Sequence, residues 1–270
     1  MASVRGTDAG GYPQTVSSLR LSALDSSLEV HFAAPAGQPM FQAAVAAWSR
    51  CLPEQPTSVE AEPLDATLPA DGSEEALHHA MQMLTQVITR RLIDAQTGRL
   101  WMLHAGAVSH PVTGNSLVFV APGGTGKTTL ARVLGRRYGY LTDETVGFDS
   151  TGRIHPYPKP LSLRQKHGGA KLEASPDELG LGHAHPDPTV TRVILLRRPW
   201  GHAGPPVVDE LTTLDALQAI LPETSRLARL PQPLQSLADV AERCGPVLRC
   251  SYAEAHDLVG LTAELIGDAP

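Results

Sequence analysis

The chain has 270 residues, enough for one large domain or two modest ones with ample core, and its 22 basic and 28 acidic side chains leave a net charge of −6. That balance argues against a nucleic-acid surface or an anionic-membrane surface. The absence of a long apolar run, and of a charged N-terminal segment followed by an apolar core, predicts neither a membrane span nor a signal peptide, hence a cytoplasmic protein.

Residues 1–16 are rich in Gly, Ser and Thr without periodicity, which predicts poor order. Leu28-Glu29-Val30-His31-Phe32 alternates as a half-buried strand does. Phe41, Val45, Trp48 and Cys51 fall three or four apart, so residues 40–51 read as an amphipathic helix with Trp48 in its core face. Residues 52–71 are proline-rich and polar, a loop or linker. Ser73 is suited to an N-cap, with Glu74 and Glu75 in the first turn, and the helix should run to about Ile93. Its apolar side is Ala76, Met81, Met83, Leu84, Val87, Ile88 and Leu92. His78 and His79 are adjacent, so they diverge on a helix and make a poor metal pair. After a turn at residues 95–98, residues 100–108 form a near-continuous apolar strand holding one histidine, His104. Residues 111–114 should turn it back to pair with the strand that follows. The division expected from these patterns is a smaller α+β region, 1–98, and a catalytic α/β domain, 99–270.

Leu117-Val118-Phe119-Val120 reads as a buried strand, and it runs into Ala121-Pro122-Gly123-Gly124-Thr125-Gly126-Lys127-Thr128-Thr129. The pattern is G-x-x-x-x-G-K-[ST], with Ala121 in place of the first glycine. Gly123, Gly124 and Gly126 permit dihedrals closed to other residues, so successive amides can turn inward around a phosphate chain. The helix starting near Lys127 adds its dipole. Lys127 would reach the outer phosphates and the Thr128 hydroxyl would ligate Mg2+, implying ATP as the bound species. A strand, a glycine turn and a helix that carry Lys-Thr by chance are the alternative. The flanking strand and amphipathic helix speak against chance.

Gly139 ends the loop helix in this reading, and residues 140–148 follow as a strand interrupted by Asp143 and Glu144. A strand end beside a phosphate loop is where a magnesium-nucleotide site places carboxylates; an acidic turn is the plainer alternative. Residues 149–152 read as a hairpin turn and 153–160 as a proline-rich edge segment. Residues 165–188 suggest a mobile surface loop, with His183 and His185 solvated. Residues 190–196 make a clear strand ending in Arg197-Arg198, a pair able either to stabilise transferred phosphate or simply to be solvated at a strand end. Helices are expected over 214–221, 234–244 and 253–266, and a last strand over 247–252. Cys51, Cys244 and Cys250 are odd in number without C-x-x-C spacing, so they read as reduced thiols.

Taken together, Leu103-His104-Ala105-Gly106-Ala107, the loop from Ala121 to Thr128, and Leu141-Thr142-Asp143-Glu144 resemble the C-terminal catalytic domain of the bacterial HPr kinase/phosphorylases and the HPr-kinase-like Ser kinases. Pro158-Lys159-Pro160-Leu161-Ser162-Leu163 looks like the kinase-like relatives. The resemblance covers roughly residues 99–200 and continues loosely beyond, whereas residues 1–98 do not look like the bifunctional enzymes' N-terminal domain. It implies a mixed-sheet fold like that of phosphoenolpyruvate carboxykinase, and transfer of the γ-phosphate of ATP to a hydroxyl, usually serine. It further implies Asp143 as proton acceptor, His104 as an active-site histidine, Lys127 as the loop lysine and Thr128 as the magnesium hydroxyl ligand. Glu144 stands where the family usually has a second Asp, as a metal-ligand position. The family's Glu-x-Arg-Gly-x-Gly segment has no counterpart between 165 and 190, so a dedicated kinase is expected rather than a phosphorylase. Its partner would be a hydroxyl-bearing peptide, protein or small molecule, and relatives are often homo-oligomers. A shikimate- or gluconate-kinase-like enzyme, and a nucleotide-binding regulatory module without transfer chemistry, are the competing readings.

Overall fold

The computed structural model describes residues 3–5, 16–52, 57–69, 71–166 and 168–268. The chain divides into two compact units: one runs to Gln96 and takes back Pro158–Leu179, and the other comprises Thr97–Tyr157 and the chain from Gly180 onward. The first unit is therefore discontinuous in sequence, with residues 158–179 returning to it.

In the first unit β1 (Ser3–Arg5), β2 (Val16–Ala23) and β3 (Ser26–Ala33) form an antiparallel meander. The expected disorder of 1–16 does not hold for Ser3–Arg5, which pairs with β2; residues 6–15 lie outside the described residues. Leu24 and Asp25 link β2 to β3 with φ of 51° and 55°, the left-handed pair that a two-residue hairpin turn demands, here without glycine. α1 (Gln38–Ala47) continues as a 3₁₀ turn over Ser49–Cys51, burying Trp48 and Cys51 as the spacing required. The proline-rich linker is more than a loop, since β4 (Val59–Glu60) and β5 (Leu64–Asp65) both add parallel to β3. In α2 (Glu74–Ala95), the Ser73 side chain accepts from the Ala76 amide, and Met81, Leu84, Ile88 and Leu92 are buried. Met83 is exposed, off the stripe by one position, and Thr85 and Thr89 take inward places by bonding Glu173 and the Thr85 carbonyl.

The second unit opens with β6 (Trp101–Leu103), β7 (Ala105–Ser109), β8 (Asn115–Val120), α3 (Lys127–Leu134), β9 (Gly139–Thr142), β10 (Val146–Phe148) and β11 (Ile154–His155). Between the two halves of this unit, β12 (Leu161–Leu163) and β13 (Leu172–Ala174) pair as a hairpin of the first unit, tied by the Ser162 hydroxyl to Glu173 at 2.6 Å. The region read as a mobile loop therefore contains a strand and buried side chains, Glu173 and Ser175 among them. His183 is exposed, as expected, whereas His185 is half-buried.

The second unit then continues through β14 (Thr189–Arg197), β15 (Val207–Glu210), α4 (Thr213–Ile220), β16 (Thr224–Ser225), α5 (Pro233–Arg243), β17 (Leu248–Ser251) and α6 (Leu258–Ile266). Six strands make one mixed sheet in the order β15-β17-β14-β8-β7-β9, in which β17, β14 and β8 are parallel and the other pairings antiparallel. Four make an antiparallel sheet, β11-β10-β6-β16. The proline-rich segment after the 149–152 turn does supply an edge strand, β11. Leu103, Ala105, Val120, Leu141, Val146 and Leu195 belong to one buried apolar cluster of this unit.

The two expected long strands are each broken. Residues 100–108 form β6 and β7 in different sheets, with His104 at the break. Residues 139–148 form β9 and β10, also in different sheets, with Asp143 and Glu144 at the break. Gly139 begins this strand rather than ending the loop helix, which stops at Leu134 with Gly135 as its C-cap. Because β7 pairs with β9 and β6 with β10, the two chains leave one sheet for the other side by side. Among the described residues no helix is long and apolar enough to cross a membrane.

Candidate active site

All the residues singled out for chemistry lie in the second unit. The loop leaves β8 at its C-terminal end, beside the parallel strand β14, which is where open α/β sheets present ligand crevices. Gly124 has φ of +83° and Gly126, the N-cap of α3, has φ of +106°; an L side chain rarely adopts either, so the glycines are required by the turn itself. A Cβ at Gly123 or Gly124 would meet nothing within 4 Å, so the loop's surface there stays clear for a ligand to approach the backbone. The first hydrogen bond into α3 is from the Leu130 amide to the Gly126 carbonyl. The amides of Lys127, Thr128 and Thr129 are therefore the orphan donors of a helix N-terminus, where partial positive charge collects.

Lys127 is 6% exposed, and its ammonium donates to the carbonyls of Ala121 and Pro122, folded over its own loop. Burial holds its pKa below the usual lysine value, opposed by the carboxylates of Glu223, Asp143 and Glu144. The Thr128 hydroxyl donates to Asp143 Oδ2 at 2.7 Å, and the Tyr140 hydroxyl donates to Asp143 Oδ1 at 3.1 Å. Asp143, 4% exposed, is thereby fixed against the first turn of the loop helix. The Thr142 hydroxyl accepts from the amides of Glu144 and Thr145 and so shapes the turn that carries both acids.

His104 is bracketed across the break between the sheets. Its amide donates to the Glu223 carbonyl at 2.7 Å, and the next amide, of Ala105, donates to the Glu144 carbonyl at 3.1 Å. Burial and then the Lys127 charge hold the imidazole pKa below its ordinary value, against the pull of Glu144 and Glu223, so His104 is neutral at pH 7. The fold thus brings Lys127, Thr128, Asp143, Glu144 and His104 to one place.

Arg197 and Arg198 come out differently. Arg198 donates to the Ala253 carbonyl at 2.9 Å and pairs with Glu254 at 2.8 Å on the surface, so its guanidinium is already engaged. Arg197 ends β14 as an exposed side chain, and its carbonyl accepts from the Tyr252 amide. Neither is bonded to the loop among the described residues.

Three residues of this neighbourhood carried no signal in the sequence: Tyr140, Glu223 and Tyr252. Tyr252 follows β17, and its hydroxyl donates to the Thr125 carbonyl at 3.0 Å. The end of a parallel strand near the loop strand was the one available cue for it. Glu223 comes from a 3₁₀ turn whose place is set by the pairing of β16 with β6.

The donor set suits a magnesium nucleotide. With its proton committed to Asp143, the Thr128 hydroxyl keeps lone pairs for a hard cation, and Mg2+ needs only one or two protein groups besides phosphate oxygens and water. No cluster of three or more His, Cys, Asp or Glu able to hold a metal without such a partner occurs among the described residues.

No protein-family model and no curated protein matches the chain. Among solved structures it is similar to the HPr(Ser) kinase/phosphatase from Coxiella burnetii, with 15% identity, a TM-score of 0.31, and coverage of 62% of this chain and 94% of that one. A likeness so distant leaves the functional reading to the site itself.

Proposed function

We propose that the chain is an ATP-dependent phosphotransferase that moves the γ-phosphoryl group to a hydroxyl, on a serine of a peptide or protein or on a small hydroxyl compound. The observation that carries the reading is the Asp143 carboxylate, buried at the end of β9 and held between the Thr128 and Tyr140 hydroxyls against the phosphate loop. A magnesium nucleotide, when bound, supplies the transferable group and a divalent charge that spreads over its oxygens. The orphan amides at the start of α3 hold phosphate oxygens. Lys127 would exchange its carbonyl acceptors for the outer phosphates, and the Thr128 hydroxyl oxygen, with the Glu144 carboxylate as a further candidate, would hold the metal. Asp143 takes the acceptor's proton as the new P–O bond forms and the bond to the departing ADP oxygen breaks. His104, neutral and able to accept or donate one hydrogen bond, orients the acceptor hydroxyl.

The same Thr128–Asp143 bond supports a second reading, in which Asp143 serves only the metal and the chain is a nucleotide-binding regulatory module. Transfer of label from γ-labelled ATP with magnesium, in extract of the native host, decides between them. Asp143→Asn is expected to abolish transfer while nucleotide affinity stays within about threefold, whereas Lys127→Ala loses both. Label that goes nowhere with wild type, or only to inorganic phosphate at equal rates in wild type and Asp143→Asn, would sink the kinase reading.

A further inference from the structure

Thr125 and Gly126 share one peptide plane in the middle of the loop, and what fixes that plane comes from the far end of the chain. Tyr252, 2% exposed, donates its hydroxyl proton to the Thr125 carbonyl at 3.0 Å. In a trans peptide the carbonyl and the amide of the plane point in opposite directions. Drawing the Thr125 oxygen toward Tyr252 therefore turns the Gly126 N–H to the opposite side. The contact is close as well as polar, since a Cβ on Gly126 would lie 3.3 Å from the Tyr252 oxygen.

The tyrosine is itself held on both sides. Its amide donates to the Arg197 carbonyl at 3.1 Å, at the end of β14. Arg198 grips the next two residues through the Ala253 carbonyl and the Glu254 carboxylate. Glu254 and Asp257 then form a reciprocal capping box that opens the 3₁₀ turn before α6. Burial pushes the phenol pKa upward, which keeps the proton available for donation.

We propose that Tyr252 is a positioning residue of the phosphate loop: its hydroxyl holds the Thr125 carbonyl so that the Gly126 amide is set in advance to bind a phosphate oxygen. The role of Arg198 follows, as the anchor of the segment that carries the tyrosine rather than as a phosphate ligand. This rests on the reading that the loop takes the phosphates of a nucleotide.

The test titrates wild type and Tyr252→Phe with two ligands, magnesium ATP and inorganic tripolyphosphate. Tyr252→Phe should weaken both by the same factor, about tenfold, the order expected when one hydrogen bond that aims another is lost. The loss should appear in KM for ATP with kcat at saturating ATP unchanged, a split that general loosening of the fold would not give. 4-Fluorophenylalanine at position 252, which restores the bulk of the lost oxygen without its proton, should behave as phenylalanine does and serves if the first variant folds poorly. Unchanged binding of both ligands by variants would overturn the clamp, as would weakening toward ATP alone, which would put Tyr252 against the nucleoside. Wild type that binds neither ligand would overturn the nucleotide reading, and the clamp with it.

Discussion

At the scale of single residues, the site balances one buried ammonium against three carboxylates. Burial depresses the Lys127 pKa, and Glu223 is the largest of the groups that restore it, ahead of Asp143 and Glu144. In the transfer proposed above Lys127 must be charged, because only the ammonium can neutralise phosphate oxygens as charge shifts. Glu223→Gln removes one supporting negative charge, so the Lys127 pKa falls further. The expected result is that the alkaline limb of the pH–rate profile moves to lower pH in the variant, measured as kcat/KM against pH; a limb that stays put would separate Glu223 from Lys127 function. Lys127 and Thr128 stood out in the sequence because a strand, a glycine turn and a helix carry them within one local unit, and Asp143 and Glu144 because they interrupt the next strand, although β9 reaches the site only by pairing with β7. Glu223 did not, because its place depends on which strand β16 chooses as neighbour. Tyr252 was hidden for the same reason. Its position at the end of β17 matters only once β17 lies beside β14, one strand from the loop strand.

At the scale of elements, the strands flanking the phosphate loop were readable but their continuity was not, and the short strands β4, β5, β12, β13, β15 and β16 were not read as strands. Residues 100–108 are apolar on both sides of His104, so composition gave no sign that the chain changes sheets there. The break follows from pairing, since β6 and β10 pair in the smaller sheet while β7 and β9, the segments adjoining them, pair in the larger one. Where β7 meets β8, Gly106 stands opposite Phe119, and a Cβ on Gly106 would fall 2.1 Å from the phenyl ring. Phe119 is fully buried and has no free side to retreat to. Gly106→Ala is therefore expected to cost about 1–3 kcal/mol through overpacking, read as a lower urea midpoint with an unchanged slope. Phe119→Leu in the same background should recover part of the loss by vacating the space. α2 shows the opposite lesson, because its cap, acidic first turn and most of its buried stripe were all read correctly from the 3.6-residue period. Met83, expected on the apolar side, is exposed, while Thr85 and Thr89, which that reading left out, are buried through bonds to Glu173 and to the helix backbone.

At the scale of the whole molecule, the two units do not follow the chain as two consecutive halves. The segment Pro158–Leu179 belongs with the residues before Thr97, though the loop and its acids lie between. Composition could not show this, since the segment looks like any glycine- and proline-rich loop, and its strand acquires a purpose only by pairing with β12. A chain that starts at Thr97 would keep β12 and β13 but lose Thr85, the partner that the Glu173 carboxylate bonds at 3.0 Å. Such a truncated protein is expected to aggregate or to unfold at markedly lower urea than the full chain, in contrast to a cut between independent domains, which would leave the midpoint near its original value. That comparison, by urea denaturation followed through the tryptophan signal, tests the division directly.

The interleaving also fixes an order of events during synthesis. A ribosome making this protein releases the glycine loop early, but the first unit stays incomplete until Leu179 has emerged, and the loop lacks its tyrosine until the last strand is out. Domains usually fold in turn as they leave the tunnel. Here the newborn chain carries two incomplete units until Leu179 has emerged, and the Thr125 carbonyl gains its hydroxyl partner only once Tyr252 follows.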